Sequence, residues 1–164
     1  MKAGLKTLLV EALRDEADKL RRVQQEAAAD REKFAEREPD APRELRGVAS
    51  VLEDVYQGAE NAFQRIVRAT GEPTPAGQEW HTELLEQMSK EMPGVRPAII
   101  RADTHEMLEV FRSFRHKVRH VYGFSLKWNK MLPLLECADQ TISALVADLE
   151  SFCNFLEQIE DEEN

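Results

Sequence analysis

Apolar residues recur every three or four positions through most of the chain, which is the spacing of one buried face of an α-helix. In the first segment this stripe runs from Leu5 to Val23. Residues 24–33 then hold many good helix formers but few large apolar side chains. We therefore predict a long N-terminal helix within residues 1–38, with a distal part that extends into solvent or meets a partner.

Prolines and glycines mark the limits of the next segments. Pro39 and Pro42 are expected to end the first helix, because proline lacks a backbone N–H and restricts the residue before it. A second amphipathic helix is predicted to open near Arg43 and to reach Ala69. Residues 70–77, which contain two Gly and two Pro, are typical of a loop.

A short third helix is expected next, with Trp80 and Met88 on its apolar face. The start of the fourth helix has two candidates. It begins at Pro97, or it begins with Asp103 as a cap that Glu106 completes three residues later in a capping box.

The last two helices are predicted to carry regular apolar stripes. In the fourth helix the stripe runs from Met107 to Val121, and Gly123 is expected to be its C-terminal cap. Residues 124–129 form a short connection, and Pro133 is expected in the first turn of the final helix, where a backbone N–H has no intrahelical partner. No segment alternates with a period of two, so no strand is predicted.

These segments together predict an all-α fold. The simplest arrangement is an up-and-down bundle of four long helices and one short helix, with at least one antiparallel pair. No internal repeat or break in composition divides the chain. Residues 1–164 are therefore expected to form one domain that ends in an acidic tail over 160–164.

Composition narrows the functional classes. The formal net charge of −9 is a poor general basis for binding nucleic acid. No run of 18 apolar residues and no charged leader is present, so we expect a cytoplasmic protein without a membrane partner. Cys137 and Cys153 lie outside any CxxC motif and are expected to be small buried apolar groups rather than zinc ligands or a disulfide.

One segment breaks the acidic pattern. Residues 111–130 hold six of the 22 Lys and Arg residues and none of the 31 Asp and Glu residues. Such a segment, with Tyr122, Phe124 and Trp128 interleaved, suits a surface that binds phosphates and stacks on an unpaired base. The alternative is a basic helix face that pairs with acidic helices of the same bundle. The RNA-binding candidates are Arg112, Lys117, Arg119 and Trp128. Trp80 and Trp128 are otherwise expected to be anchors of the core or its rim, and Trp128 is the better candidate of the two for base stacking.

Arg115 and His120 in this segment are suited to cleaving RNA without a metal ion. An arginine offers a permanent charge and a fork of donors to a phosphate, and a histidine exchanges a proton near neutral pH. The ribose 2′-hydroxyl supplies the nucleophile, so the protein needs no activated serine or cysteine. At ~100° per residue, these two side chains would lie about 140° apart on a straight helix. They converge only if the helix ends or bends near His120, or if a second copy of the motif faces the first.

The string RHKVRHVY, from Arg115 to Tyr122, resembles the RX4HXY motif of HEPN ribonucleases, specifically the HepT-like toxins of MNT-HEPN toxin–antitoxin pairs. A polar residue directly after the arginine is usual in that family, and His116 fills that position. The late position of the motif and the long helix that follows it also agree with the family's helical fold over about residues 43–159.

The resemblance implies a HEPN-like homodimer that cleaves RNA, such as tRNA or mRNA, with no metal or other cofactor. Arg115 would then bind the scissile phosphate, His120 would act in acid–base chemistry or in orientation, and His116 would support the site. From the residues alone, His116 and His120 also resemble half of a helical metal site, but the segment offers no third ligand. His81 and His105 are predicted to be ordinary surface or helix-start residues.

The resemblance also implies a regulator. HepT-like toxins of type VII-like systems are neutralised by an MNT-type nucleotidyltransferase antitoxin, which transfers AMP from ATP to the motif tyrosine, here Tyr122. An adenylylated Tyr122 would be bulky and anionic and would compete with RNA for the same arginines. The residues leave open that Tyr122 is a boundary aromatic with its ring on the buried seam. The alternative function is a non-catalytic, HEPN-like interaction module.

Overall fold

The computed structural model describes residues 3–159, and within that range it is all-helical, as the apolar spacing predicts. The predicted acidic tail, residues 160–164, lies outside the described residues. A 3₁₀ turn spans Gly123–Ser125. The five α-helices are α1 (Ala3–Lys33), α2 (Pro42–Thr70), α3 (Trp80–Met88), α4 (Ala102–Val118) and α5 (Trp128–Gln158).

The helices pack around α2. This helix contacts all four other helices and the 3₁₀ turn, while α1 lies along both α2 and α5. Its buried face includes Leu52, Phe63 and Ile66, each fully buried. Among residues 3–159, no helix is both long enough and apolar enough to cross a bilayer.

The distal part of α1 packs against α5 instead of extending into solvent, which corrects one of the two expectations for it. Gln24 donates hydrogen bonds of 2.8 Å to Asp139 Oδ1 and to Ser143 Oγ on α5. Ala27, in the same part of α1, is also buried. The helix ends at Lys33, before the proline-rich connection.

Neither predicted start of α4 is correct. The helix begins at Ala102 with Arg101 as its N-cap residue, and the Arg101 side chain makes no capping hydrogen bond. The cap comes from α5: Asp148 accepts hydrogen bonds from the backbone N–H of Arg101 at 3.1 Å and from its Nε at 2.7 Å. A carboxylate distant in sequence therefore replaces the expected capping box at this N-terminus.

The end of α4 and the start of α5 also differ from the predictions. Helix α4 ends at Val118, and Gly123 is not its cap, since its φ is not positive. A side chain at Gly123 would instead overlap the guanidinium of Arg46 on α2. Helix α5 begins at Trp128, so Pro133 lies in its second turn. The carbonyl that loses its helical partner to this proline belongs to Asn129, which is exposed to water.

The buried face of α4 shares only Phe111 with the predicted apolar stripe. Its buried residues are Thr104, Leu108, Phe111 and Arg115. Val121, the expected end of the stripe, is 45% exposed. Helix α4 therefore turns an arginine toward the core, and a partner for its charge must come from another helix.

A second arginine is buried in the connection between α3 and α4. Arg96 pairs with Glu72, which follows α2, through its Nε at 2.5 Å and its Nη2 at 2.8 Å. Each side chain of this pair is only 1% exposed. The pair fixes the loop after α2 to the segment that leads into α4.

Candidate active site

Arg115 lies in the last turn of α4 and is buried against α2. Its Nη1 donates a 3.2 Å hydrogen bond to Glu60 Oε1, and its Nη2 donates a short one to Gln57 Oε1. Its Cζ lies 5.9 Å from the ring centre of Tyr56, which is within the range of a cation–π contact. Three residues of one face of α2 therefore hold the motif arginine in place.

Glu60 joins the motif arginine to a histidine of α3. The second carboxylate oxygen of Glu60 accepts a short hydrogen bond from Nδ1 of His81. The Tyr56 hydroxyl donates a 3.1 Å hydrogen bond to the backbone carbonyl of His81, and the imidazole stacks on Trp80 with ring centres 3.6 Å apart. His81 is at the helix start, as predicted, but it is an anchored part of this cluster rather than an ordinary surface residue.

A cavity of about 260 Å³ opens beside this cluster. Its basic side chains come from α4, from the turn after it and from α3, while Tyr56 and Gln78 complete the wall. The three guanidinium groups and three imidazoles that line it belong to Arg112, Arg115, Arg119, His81, His116 and His120. The cavity is therefore suited to an anion such as a phosphodiester.

The end of α4 at Val118 brings His120 to the same cavity as Arg115. Beyond that point the backbone winds more tightly, with His120 N–H bonded to the carbonyl of Lys117 at 3.3 Å. The imidazoles of His116 and His120 lie edge to face, with ring centres 5.6 Å apart. Of the two routes to convergence that the sequence leaves open, the end of the helix is therefore sufficient within a single chain.

Neighbouring charges and burial shift the pKa values of side chains at the rim of the cavity. The Arg112 Nε and Nη2 donate to Glu109 at 2.7 and 2.6 Å, and this pairing raises the pKa of Arg112 and lowers that of Glu109. Burial raises the pKa of Tyr56, so its phenol remains a neutral hydrogen-bond donor. Arg119 is exposed and free to reach a ligand at the mouth of the cavity.

Tyr122 lies outside the residues that line the cavity. Its ring is 75% exposed and stacks on Phe124, which is 70% exposed, with ring centres 5.2 Å apart. The boundary-aromatic interpretation is therefore wrong for this chain, because the ring does not lie on the buried seam. The phenol is accessible to a second protein.

Two predicted RNA-binding residues lie elsewhere. Trp128 is buried, and its ring meets Phe34 edge to face at 5.6 Å. This corrects its assignment as a base-stacking residue and confirms the alternative of a core anchor. Lys117 is exposed but lines a different groove, between α4 and α5.

The cysteines and histidines form no metal cluster in the described part of the chain. Among residues 3–159, no three His, Cys, Asp or Glu side chains lie close enough to hold one ion. Both cysteines are free thiols; Cys153 is buried as predicted, whereas Cys137 is only half-buried. Burial raises the pKa of Cys153 to about 11, so it is an inert apolar group.

Sequence reasoning missed Glu60 and His81. The available sign for Glu60 was its place on the apolar face of α2, next to Ala59 and Phe63, since a carboxylate in that position requires a buried cation. His81 gave no such sign, because its role depends on how α3 packs against α2.

Comparison with known proteins adds one match. A model of the family described as HepT-like protein matches residues 47–156, a range that contains every side chain lining the cavity. This match confirms the resemblance inferred from the RHKVRHVY string. No curated protein and no solved structure matches the chain.

Proposed function

The chain belongs to the HepT-like family, and from that premise we propose that it is the toxin of a type VII-like toxin–antitoxin system, a ribonuclease that needs no metal ion. The observation that carries this proposal is the convergence of Arg115 and His120 on one basic cavity. A single chain thus offers a phosphate-binding cation and a proton-transfer group at one place.

The proposed reaction uses the 2′-hydroxyl of the RNA itself. Arg115 binds the scissile phosphate, because a guanidinium has more N–H donors than its bonds to Glu60 and Gln57 use. Its charge offsets the negative charge that builds on the non-bridging oxygens as phosphorus is attacked. His120 transfers a proton, and His116, whose ring contacts it, supports its orientation. The products are a 2′,3′-cyclic phosphate and a 5′-hydroxyl.

Cleavage of RNA in the presence of a chelator tests this proposal. Wild-type protein should cut tRNA or mRNA with EDTA present, and His120→Ala should reduce the rate by about 10²-fold or more. Because His120 is exposed, this variant should unfold at the wild-type temperature. A single 2′-deoxynucleotide at the cut position should block cleavage there. Full activity of His120→Ala would contradict the proposed chemistry.

A homodimer is part of the proposal, and an apolar groove supports it. The groove between α4 and α5 has a volume of about 600 Å³ and is lined by Phe114, Leu126 and Met131, among others. At its edge Val110 is 50% exposed and Val121 is 45% exposed. Burying these side chains against a second copy would remove apolar surface from water. Val110→Asp should therefore lower the molar mass measured by light scattering to that of a monomer.

We propose that an MNT-type antitoxin neutralises the protein by modifying Tyr122. Its exposure leaves the phenol oxygen open to AMP transfer from ATP, with release of pyrophosphate. The bulky anion would then occupy the basic surface near the cavity and exclude RNA.

The two tyrosines of the chain provide a matched control for this step. Tyr122 is 75% exposed, whereas Tyr56 is 1% exposed and hydrogen-bonded to α3. After incubation with antitoxin and ATP, mass spectrometry should find one or more added AMP groups on the peptide that contains Tyr122 and none on the peptide with Tyr56. Tyr122→Phe should abolish the addition. Modification at another residue would contradict this part alone.

One observation favours the alternative of a non-catalytic interaction module. The Arg115 side chain is held by Glu60 and Gln57, as a purely structural arginine would be. In that case wild-type protein would leave RNA intact while still forming its dimer and binding the antitoxin.

A further inference from the structure

We propose that His81 is the general base of the ribonuclease reaction, and that Glu60 positions it. This inference rests on the proposed function and deepens it, because it assigns the two proton transfers to two histidines, one on α3 and one in the turn after α4. His81 lies outside the RHKVRHVY string and reaches the cavity from the first turn of α3.

The hydrogen bonds of the His81 ring fix which nitrogen can act. Nδ1 faces the Glu60 carboxylate, which can only accept, so Nδ1 carries a proton. Nε2 of the neutral ring then holds the lone pair, and it has no hydrogen-bond partner among residues 3–159. A carboxylate that fixes the tautomer of a histidine leaves the opposite nitrogen ready to accept a proton.

The surroundings hold the ring in place. His81 stacks on Trp80 on one side, and Tyr56 anchors its backbone carbonyl from α2. Glu60 is 3% exposed, and it binds both His81 and Arg115. One buried carboxylate therefore sets the relative position of the proposed base and of the phosphate-binding cation. Such fixed geometry is what efficient proton transfer requires.

His81 Nε2 takes the proton of the 2′-hydroxyl while the 2′-oxygen forms a bond to phosphorus. The bond from phosphorus to the 5′-oxygen breaks, and His120 donates a proton to that leaving oxygen. Exchange with water then removes the proton from His81 and returns one to His120.

A substrate with sulfur in place of the leaving 5′-oxygen separates the two roles. A thiolate leaves without protonation, so loss of the acid costs little on this substrate. We expect His120→Ala to cleave it within about tenfold of the wild-type rate, while His81→Ala stays about 10²-fold slower. Near-wild-type cleavage of this substrate by His81→Ala would make His81 the acid and overturn the assignment.

The pH dependence on the same substrate distinguishes a base from a residue that only maintains structure. The wild-type rate should rise with pH and level off once the base is deprotonated, whereas the His81→Ala rate should keep rising with hydroxide. A plateau preserved in His81→Ala would show a structural role and overturn the proposal. The titratable and charged groups that face His81 are Tyr56 and Glu60 from α2, and Arg112, Arg115, His116, Arg119 and His120 from α4 and the turn after it.

His105→Ala is the matched control. His105 also pairs with a carboxylate of the same region, Glu86 at 3.2 Å, and it is 26% exposed where His81 is 27% exposed. It does not line the cavity, so its loss should leave both substrates cleaved at wild-type rates. If wild-type protein cleaves neither substrate, the proposed function itself fails. If wild-type and His81→Ala cleave alike, only the assignment of His81 fails.

Discussion

Two buried arginine–glutamate pairs differ in how their remaining hydrogen bonds are used. Arg96 and Glu72 form a closed pair, in which the donors of the arginine and the oxygens of the carboxylate all have partners in the protein. Arg96 Nη1 donates to two backbone carbonyls, at 2.8 and 3.0 Å, and Nη2 donates to a third at 3.1 Å. Glu72 also accepts from Thr70 at 2.8 Å and from Gln87 at 2.7 Å. This pair has its partners within the fold and binds three segments together.

Arg115 and Glu60 form an open pair, in which some N–H donors of the arginine have no acceptor among residues 3–159. Arg115 has two side-chain acceptors and no backbone carbonyl as acceptor among residues 3–159, and the other oxygen of Glu60 goes to a histidine. All of this lies against a cavity lined by further cations. Both arginines are buried and paired with a glutamate, so burial and charge pairing do not distinguish them. They differ in that Arg115 keeps unused N–H donors beside a cavity, which is the difference that the proposed function uses.

The largest expected effect is on stability at the closed pair. Arg96→Ala leaves the Glu72 carboxylate buried without its cation, which should lower the free energy of unfolding by about 3–5 kcal/mol. Urea denaturation followed by circular dichroism measures this loss. The control is Arg14→Ala, which removes an exposed pair with Glu157 and should leave the free energy of unfolding close to that of wild type, because solvent screens the pair. Equal losses of unfolding free energy in the two variants would show that burying the Arg96–Glu72 pair does not increase its contribution to stability.

Substitution of Arg115 in the open pair should reduce the cleavage activity more than the stability. Arg115→Lys keeps a charge beside Glu60 but loses the planar fork that binds a phosphate. We expect the cleavage rate to fall by about 10²-fold, equivalent to about 2.7 kcal/mol of transition-state stabilisation, and stability to fall by less than that. Single-turnover cleavage and urea denaturation on the same samples make the comparison. A stability loss larger than the activity loss would place Arg115 with Arg96 as a structural residue.

The fold was largely predictable because local patterns determine most of it. The second helix was expected from Arg43 to Ala69 and is found over Pro42–Thr70, since Pro42 fits its first turn and Gly71 with φ of 71° caps its end. The start of α4 was not predictable, because its cap comes from Asp148, whose approach depends on the packing of α5.

The candidate site was predictable only in its motif. Arg115, His116 and His120 could be identified from their spacing, and all three line the cavity. Their surroundings could not, because the C-terminal part of the predicted stripe, Phe114 to Val121, lines a groove rather than the core. The buried face of α4 ends in an arginine. A search for regularly spaced apolar residues overlooks a charged residue that is buried with a partner.

A smaller effect is expected in the pH dependence of stability at the closed pair. Burial raises the pKa of Glu72, but hydrogen bonds from Arg96, Thr70 and Gln87 outweigh it and hold the pKa below its usual value. The stabilisation is therefore complete above the unfolded pKa of about 4.3 and is lost as the pH falls through the lower folded value. Glu72→Gln should be less stable than wild type at pH 7, and the gap should narrow toward pH 3. A constant gap in urea midpoints would contradict this linkage.

The smallest expected effect concerns the mouth of the open site. Arg119 is exposed and lines the cavity, whereas Arg65 is exposed on α2 away from it. If Arg119 contacts one phosphate of single-stranded RNA, Arg119→Ala should reduce the slope of log affinity against log salt by about 0.7. Arg65→Ala should leave that slope unchanged, because its charge is equal but lies outside the cavity. Fluorescence anisotropy with a labelled, 2′-deoxy-blocked RNA at several salt concentrations measures both. Equal slopes in the two variants would mean that RNA is held by the charge of the surface as a whole, and the cavity would then no longer be the place where the phosphate binds.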